Sequence, residues 1–324
     1  MPLRLIAAVA LMLAPLLAQA QDVPGSWKRA WPQTDFSRIA VDPSEIFSGG
    51  PPKDGIPAIT GPEMILASEE DDLDPREPVM VLELDGQPPR AYPVRYLMFH
   101  EIVNDMAGDV PVAVTFCPLC NSGLIFDRRL GGRVLEFGVS GMLRFSDMVM
   151  FDRQTESWWQ QFDGRAIVGE LLGSELIPLP AWLESWQGYL DRNPQGLVMA
   201  QPGGYRRNYG TNPYAGYDSG RPFLYQGENP PHGIDPVARV VRVGNRAWPL
   251  IRLAEAGEIT EAGYRLSWAE GQASALDTRA IGQGREVGDV RVYDAATGAG
   301  VIHEVVFAFA FHAFEPDGVW MMGE

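Results

Sequence analysis

The chain has 324 residues, a formal net charge of −16 and two cysteines. So acidic a balance argues against nucleic acid and anionic membrane surfaces as partners, because both require clustered Lys and Arg. Two cysteines in a single C-x-x-C also exclude a disulfide-stapled scaffold.

Residues 1–20 have the parts of a secretory signal peptide. Arg4 supplies the positive start, residues 5–17 are apolar apart from Pro15, and Ala18-Gln19-Ala20 is a small-x-small cleavage site. The apolar stretch is shorter than the roughly 20 residues of a spanning helix. The expectation is an exported chain, periplasmic or secreted, that starts at Gln21 and does not span a membrane.

Residues 21–75 read as an N-terminal arm rich in Pro, Gly and Asp, with the acidic run Glu69-Glu70-Asp71-Asp72 as a solvated loop. Residues 76–324 read as a single compact domain of α+β class, mainly antiparallel β with few short helices. Its 35 Gly and 27 Pro over the whole chain call for many turns. Strand signals begin at residues 79–84, before the turn Asp85-Gly86. Arg90-Ala91-Tyr92-Pro93-Val94 is echoed by Arg246-Ala247-Trp248-Pro249-Leu250, so two degenerate strand–helix–strand repeats are expected near 79–127 and 237–277. The second would carry Trp268-Ala269-Glu270-Gly271 where the first carries the cysteines. Residues 182–190 predict a short helix, residues 205–225 a long ordered loop, and residues 305–311, which alternate Phe and Ala, a half-buried strand.

Cys117-Pro118-Leu119-Cys120 falls at a tight turn between a β-branched run, 110–116, and a second apolar run, 124–126. Three chemistries suit it. A disulfide would close a loop too small to add more than about 2 kcal/mol. A redox dithiol, with Cys117 as nucleophile, would lack the helix N-terminus that lowers a thiol pKa. A metal knuckle fits the turn best but supplies only two ligands. Covalent haem is excluded, since Asn121 stands where the motif needs histidine. No Gly-rich phosphate loop points to a nucleotide.

His100 is the candidate third ligand. Helical spacing would put it on one face with Tyr96 and Val103, and Glu101 and Asp105 on the solvent stripe. The competing reading is a buried histidine bonded to a backbone carbonyl. Two thiolates and an imidazole would suit copper or zinc. His232, His303 and His312 carry less weight.

Asp147 and the run 152–161 are dense in polar groups beside tryptophans. Asp152, Arg153, Glu156 and Gln160, with Glu101, are candidate linings of a pocket floored by Trp158 and Trp159. An Arg–carboxylate network locking a Trp-rich core is the rival account.

His100-Glu101-Ile102-Val103-Asn104-Asp105, Pro111-Val112-Ala113-Val114-Thr115-Phe116-Cys117-Pro118-Leu119-Cys120, Gly138-Val139-Ser140-Gly141 and Phe151-Asp152-Arg153-Gln154-Thr155-Glu156-Ser157-Trp158-Trp159-Gln160-Gln161 stand in this order. With Asn212-Pro213-Tyr214, Gly216-Tyr217-Asp218, Ser274-Ala275-Leu276-Asp277 and residues 307–316, the chain resembles the family called domain of unknown function 3179. The resemblance implies an identity over nearly the whole mature chain and no reaction. One departure is Phe145, in Leu143-Arg144-Phe145-Ser146-Asp147, where the family pattern leads one to expect Asn.

The expected function is therefore an exported metal-binding protein of unknown reaction, with Cys117, Cys120 and His100 as ligands. A metal-free thiol–disulfide oxidoreductase and a non-enzymatic binding module are the alternatives.

Overall fold

Short β-branched and aromatic runs separated by turn residues form short strands, and these dominate the molecule. The computed structural model describes residues 23–323. The expected signal peptide and its cleavage site lie outside them. Among the described residues the protein is mostly β, with 16% helix, and its main sheets sit in a five-bladed, propeller-like arrangement. No helix among those residues is long and apolar enough to cross a membrane.

Two sheets build the site. In one, Ile102–Ala107, Val110–Cys117 and Ser122–Asp127 form an antiparallel meander, edged by Ile177–Pro178 and Ile59–Thr60. In the other, Phe137–Arg144 pairs antiparallel with Asp147–Asp152, followed by Trp158–Gln160 and Arg165–Val168. The strand Val110–Cys117 is buried on both faces from its second residue on, which is why its sequence reads as an almost unbroken apolar run.

The N-terminal arm is woven into this framework. Ile46–Ser48, Ile59–Thr60 and Met64–Leu66 each pair with a strand of a different sheet. Gly141 explains one point of contact. Its φ is 77°, and a Cβ there would lie 2.0 Å from the Pro51 carbonyl oxygen, so only glycine lets the arm approach.

Among the described residues there are five α-helices: α1 Gly25–Ala30, α2 Val94–His100, α3 Trp186–Arg192, α4 Leu250–Ala256 and α5 Ala308–Phe314. Helices α2 and α4 each follow a strand that ends in the Arg-Ala-aromatic-Pro motif, Arg90–Pro93 and Arg246–Pro249. Each then leads into a hairpin, Ile102–Cys117 and Glu258–Ala269.

Two expected elements differ. Residues 181–185 form a strand paired with Pro78–Leu82, and only then does α3 begin. The Ser185 hydroxyl accepts the Gly188 N–H, so the helix starts at its N-cap rather than at Trp182. Residues 304–307 form a strand, but residues 308–314 are helix α5. Ala308, Phe309, Ala310 and Phe311 are all buried there, so apolar content on every side imitated a strand period.

Candidate metal centre

The two cysteines sit where the ladder between Val110–Cys117 and Ser122–Asp127 closes, with Cys117 opposite Ser122. The Cys120 N–H donates to the Cys117 carbonyl at 3.2 Å and the Asn121 N–H to the Pro118 carbonyl at 3.4 Å. Asn121 takes φ 50°, a left-handed value that asparagine tolerates better than most residues. The turn is pinned from outside. Phe307 N–H donates to the Cys120 carbonyl at 2.9 Å, and the Asn121 amide donates to the Val305 carbonyl at 2.7 Å. Both thiols are buried and free.

Asp147 meets them from the second sheet. It opens the strand Asp147–Asp152, after a two-residue turn in which Phe145 and Ser146 have φ 50° and 66°. Such hairpin turns favour Asn and Gly because both central residues need positive φ. The place where the family pattern leads one to expect Asn is thus a backbone position, and Phe145 fills it with its ring packed on Arg144 and Phe314. Ser146 accepts the Cys117 thiol at its carbonyl, 3.8 Å away.

One ligand atom from each of Cys117, Cys120 and Asp147 lies within 4.8 Å of the others, and all three residues are buried. The Asp147 Oδ1 accepts from Gln160 Nε2 at 2.6 Å and from Phe162 N–H at 3.0 Å. Its Oδ2 meets no N–H or O–H donor, though the Cys120 thiol hydrogen-bonds the carboxyl, and the buried Ser146 Oγ has no partner. Burial pushes the Asp147 carboxyl up to about 7. Burial also raises the Cys117 thiol and raises Cys120 well above its ordinary range, with Cys117 and Asp147 adding to the effect.

Glu101 is not on a solvent-facing helix stripe. Helix α2 ends at His100, and Glu101 follows with φ 59° and ψ −34°. Its N–H donates to the Leu97 carbonyl at 2.7 Å, and its carbonyl accepts Phe116 N–H at 2.9 Å, tying it to the strand that carries Cys117. The carboxyl faces a cavity of about 500 Å³ whose lining includes Leu119 and Met148. Burial, then the neighbouring Asp147, push it up to about 8. Asp105, also expected on the solvent stripe, is buried in the strand Ile102–Ala107 and bonded to Arg90 and Tyr92.

His100 lies outside the converging group. Its Nδ1 is 2.7 Å from the Pro57 carbonyl, which can only accept, so this nitrogen carries the proton. Its Nε2 then accepts from the Tyr209 hydroxyl at 2.7 Å. Both ring nitrogens are satisfied and burial lowers the pKa, as in the competing reading of a structural histidine. His303 is likewise buried between two carbonyls, those of Val301 and Val290.

The second expected pocket is dispersed. Consecutive strand residues face opposite sides. Trp158 packs on Trp27, Trp31 and Phe36 beneath the arm, and Trp159 packs against Phe137 in the main core. Asp152 accepts from Trp159 and Thr155, Arg153 pairs with Asp54 and Glu136, and Glu156 pairs with Lys53. These are structural locks. Of the expected pocket residues, Gln160 reaches the centre through Asp147, and Glu101 comes close enough to act on Asp147 and Cys117. Asp147 itself was visible in the sequence as part of a polar motif, but nothing in its spacing linked it to the cysteines.

Neither the curated proteins nor the solved structures give a match to this chain. A family model does match, over residues 53–318, and its description reads "Protein of unknown function (DUF3179)". That match covers most of the chain, and the protein belongs to this family.

Proposed function

We propose that this is an exported metal-binding protein in which Cys117, Cys120 and Asp147 hold one zinc ion. The observation that carries this reading is the convergence of two thiols and a buried carboxylate whose Oδ2 meets no N–H or O–H donor, the Cys120 thiol being its carboxyl's weak remaining partner. A buried carboxylate oxygen met by no stronger donor than a thiol is under-satisfied, and a cation would make up that deficit. Asp147 takes the place that His100 was expected to fill. A hard carboxylate oxygen beside two soft sulfurs favours zinc over copper(I), which prefers an all-soft set. Three protein donors would leave one of the four positions of a zinc ion unfilled, as in zinc sites that act on a substrate.

The thiol–disulfide alternative fits less well. A redox thiol needs its thiolate stabilised, whereas here burial raises both thiols and the charged neighbours, Asp147 and Glu101, are acidic. A dication reverses that balance by displacing the protons.

The test is elemental analysis of protein purified from its native compartment, together with zinc titration against a chromogenic chelator. One zinc per chain is expected, lost in Cys117→Ser and Asp147→Asn and kept in His100→Gln. Absence of metal, with the pair instead cycling to a disulfide at a measurable potential, would establish the redox reading. Export is checked separately by N-terminal sequencing, with Gln21 expected first.

A further inference from the structure

The cavity beside the thiols has a definite polarity. Ile56, Leu119, Met142, Met148 and Phe223 line its walls, and Glu101 is its one acidic group. No Lys, Arg or His lines it among the described residues. Two polar groups there lack protein partners: the Glu101 carboxyl and the Tyr214 hydroxyl make no hydrogen bond among the described residues. The wall is also held in shape. Tyr217 donates its hydroxyl to the Leu119 carbonyl at 3.0 Å and accepts Phe223 N–H at 3.1 Å, which locks the loop onto the cysteine turn.

We propose that this cavity binds an uncharged, mainly apolar small molecule whose single hydrogen-bonding group meets Glu101 and Tyr214. An anion would be desolvated there with no Lys, Arg or His to pair it, in a protein of net charge −16. A cation would find one carboxyl and one hydroxyl, too few acceptors to replace its hydration. The volume, about 500 Å³, and the apolar walls suit a compact organic ligand. The ligand class rests on the lining alone. It does not depend on the zinc reading.

The experiment uses three fluorescent or competing probes on the full chain, with and without zinc. These are phenylnaphthylamine, which is uncharged; anilinonaphthalene sulfonate, which adds an anionic group to similar rings; and naphthylethylenediamine, a cation. The uncharged probe should bind one site at least about tenfold more tightly than either charged one. Ile56→Trp, which fills the cavity, should weaken it by about tenfold or more, with thermal unfolding confirming that the variant is folded. Above about pH 8, where Glu101 ionises, Glu101→Gln should narrow the gap to the sulfonate. Equal or tighter binding of a charged probe, or unchanged binding of the neutral probe in Ile56→Trp, overturns the proposal. Failure of the zinc reading is distinguishable, because the neutral probe would then still bind a chain that takes up no metal.

Discussion

Glu101 and Gly257 occupy matching positions. Each follows a seven-residue helix with positive φ, 59° and 71°. Each donates its N–H to the carbonyl four residues back, Leu97 at 2.7 Å and Leu253 at 2.8 Å. Each accepts at its own carbonyl from the second strand of the hairpin that follows, from Phe116 and Trp268. Glycine adopts this backbone freely, while glutamate is strained in it. The strained residue is the one whose carboxyl faces the cavity, beside Cys117; the relaxed one stands near Ala269.

Replacing Glu101 by glycine should therefore stabilise the protein. A gain of about 1 kcal/mol is expected from relieved backbone strain, read as a higher urea midpoint at unchanged m-value. The same variant should narrow, above about pH 8, the cavity's discrimination against the sulfonate probe. A destabilised Glu101→Gly would mean that the conformation is not the source of strain.

Stability of the metal-free protein should fall as pH rises. Asp147 and Glu101 hold their protons up to about 7 and about 8 when folded, whereas unfolded carboxyls release theirs in the ordinary range. Between those limits the folded state binds more protons, so unfolding becomes easier with increasing pH. The raised thiols extend the same trend to higher pH. Asp147→Asn should flatten the part of the profile below about 7. Zinc affinity should change in the opposite direction, rising with pH as protons cease to compete. Urea titrations and metal competition over one pH series check both signs.

Gln160 acts on the centre through Asp147, by its 2.6 Å bond to Oδ1. Gln160→Ala should leave one zinc per chain but weaken its affinity by about 10–100-fold, the usual effect of losing a partner that orients a ligand. Competition with a chelator of known affinity measures it.

Tyr209→Phe separates a structural His100 from a ligating one. The imidazole Nε2 would lose its donor, at a cost of about 1–3 kcal/mol for a buried unpaired acceptor. Zinc uptake should be unchanged. Reduced uptake in a folded variant would return His100 to the ligand set.

The sequence reveals the site's strands more readily than its donors. The β-branched run before Cys117 and the apolar run after Cys120 declare the two strands and the turn between them. The echoed Arg-Ala-aromatic-Pro motif marks two places where a strand runs straight into a short helix. Asp147 is not legible as a partner of the cysteines, because the hairpin that delivers it belongs to another sheet and such pairing leaves no local period. Helical spacing misplaces Glu101 and Asp105, since the helix stops at His100 and a strand begins at once. His100 attracts notice by its nearness to the cysteines along the chain, but its ring nitrogens are occupied by Pro57 and Tyr209.

The strand Glu304–Phe307 closes the cysteine turn from far along the chain. Phe307 holds the Cys120 carbonyl, and Val305 receives the Asn121 amide, 184 residues apart in sequence. A chain emerging from its N-terminus has made both thiols long before it makes the segment that shelters them. Until that strand docks, the pair lies open to oxidants and stray cations. A copy truncated ahead of residue 304 would keep its cysteines and lose their protection.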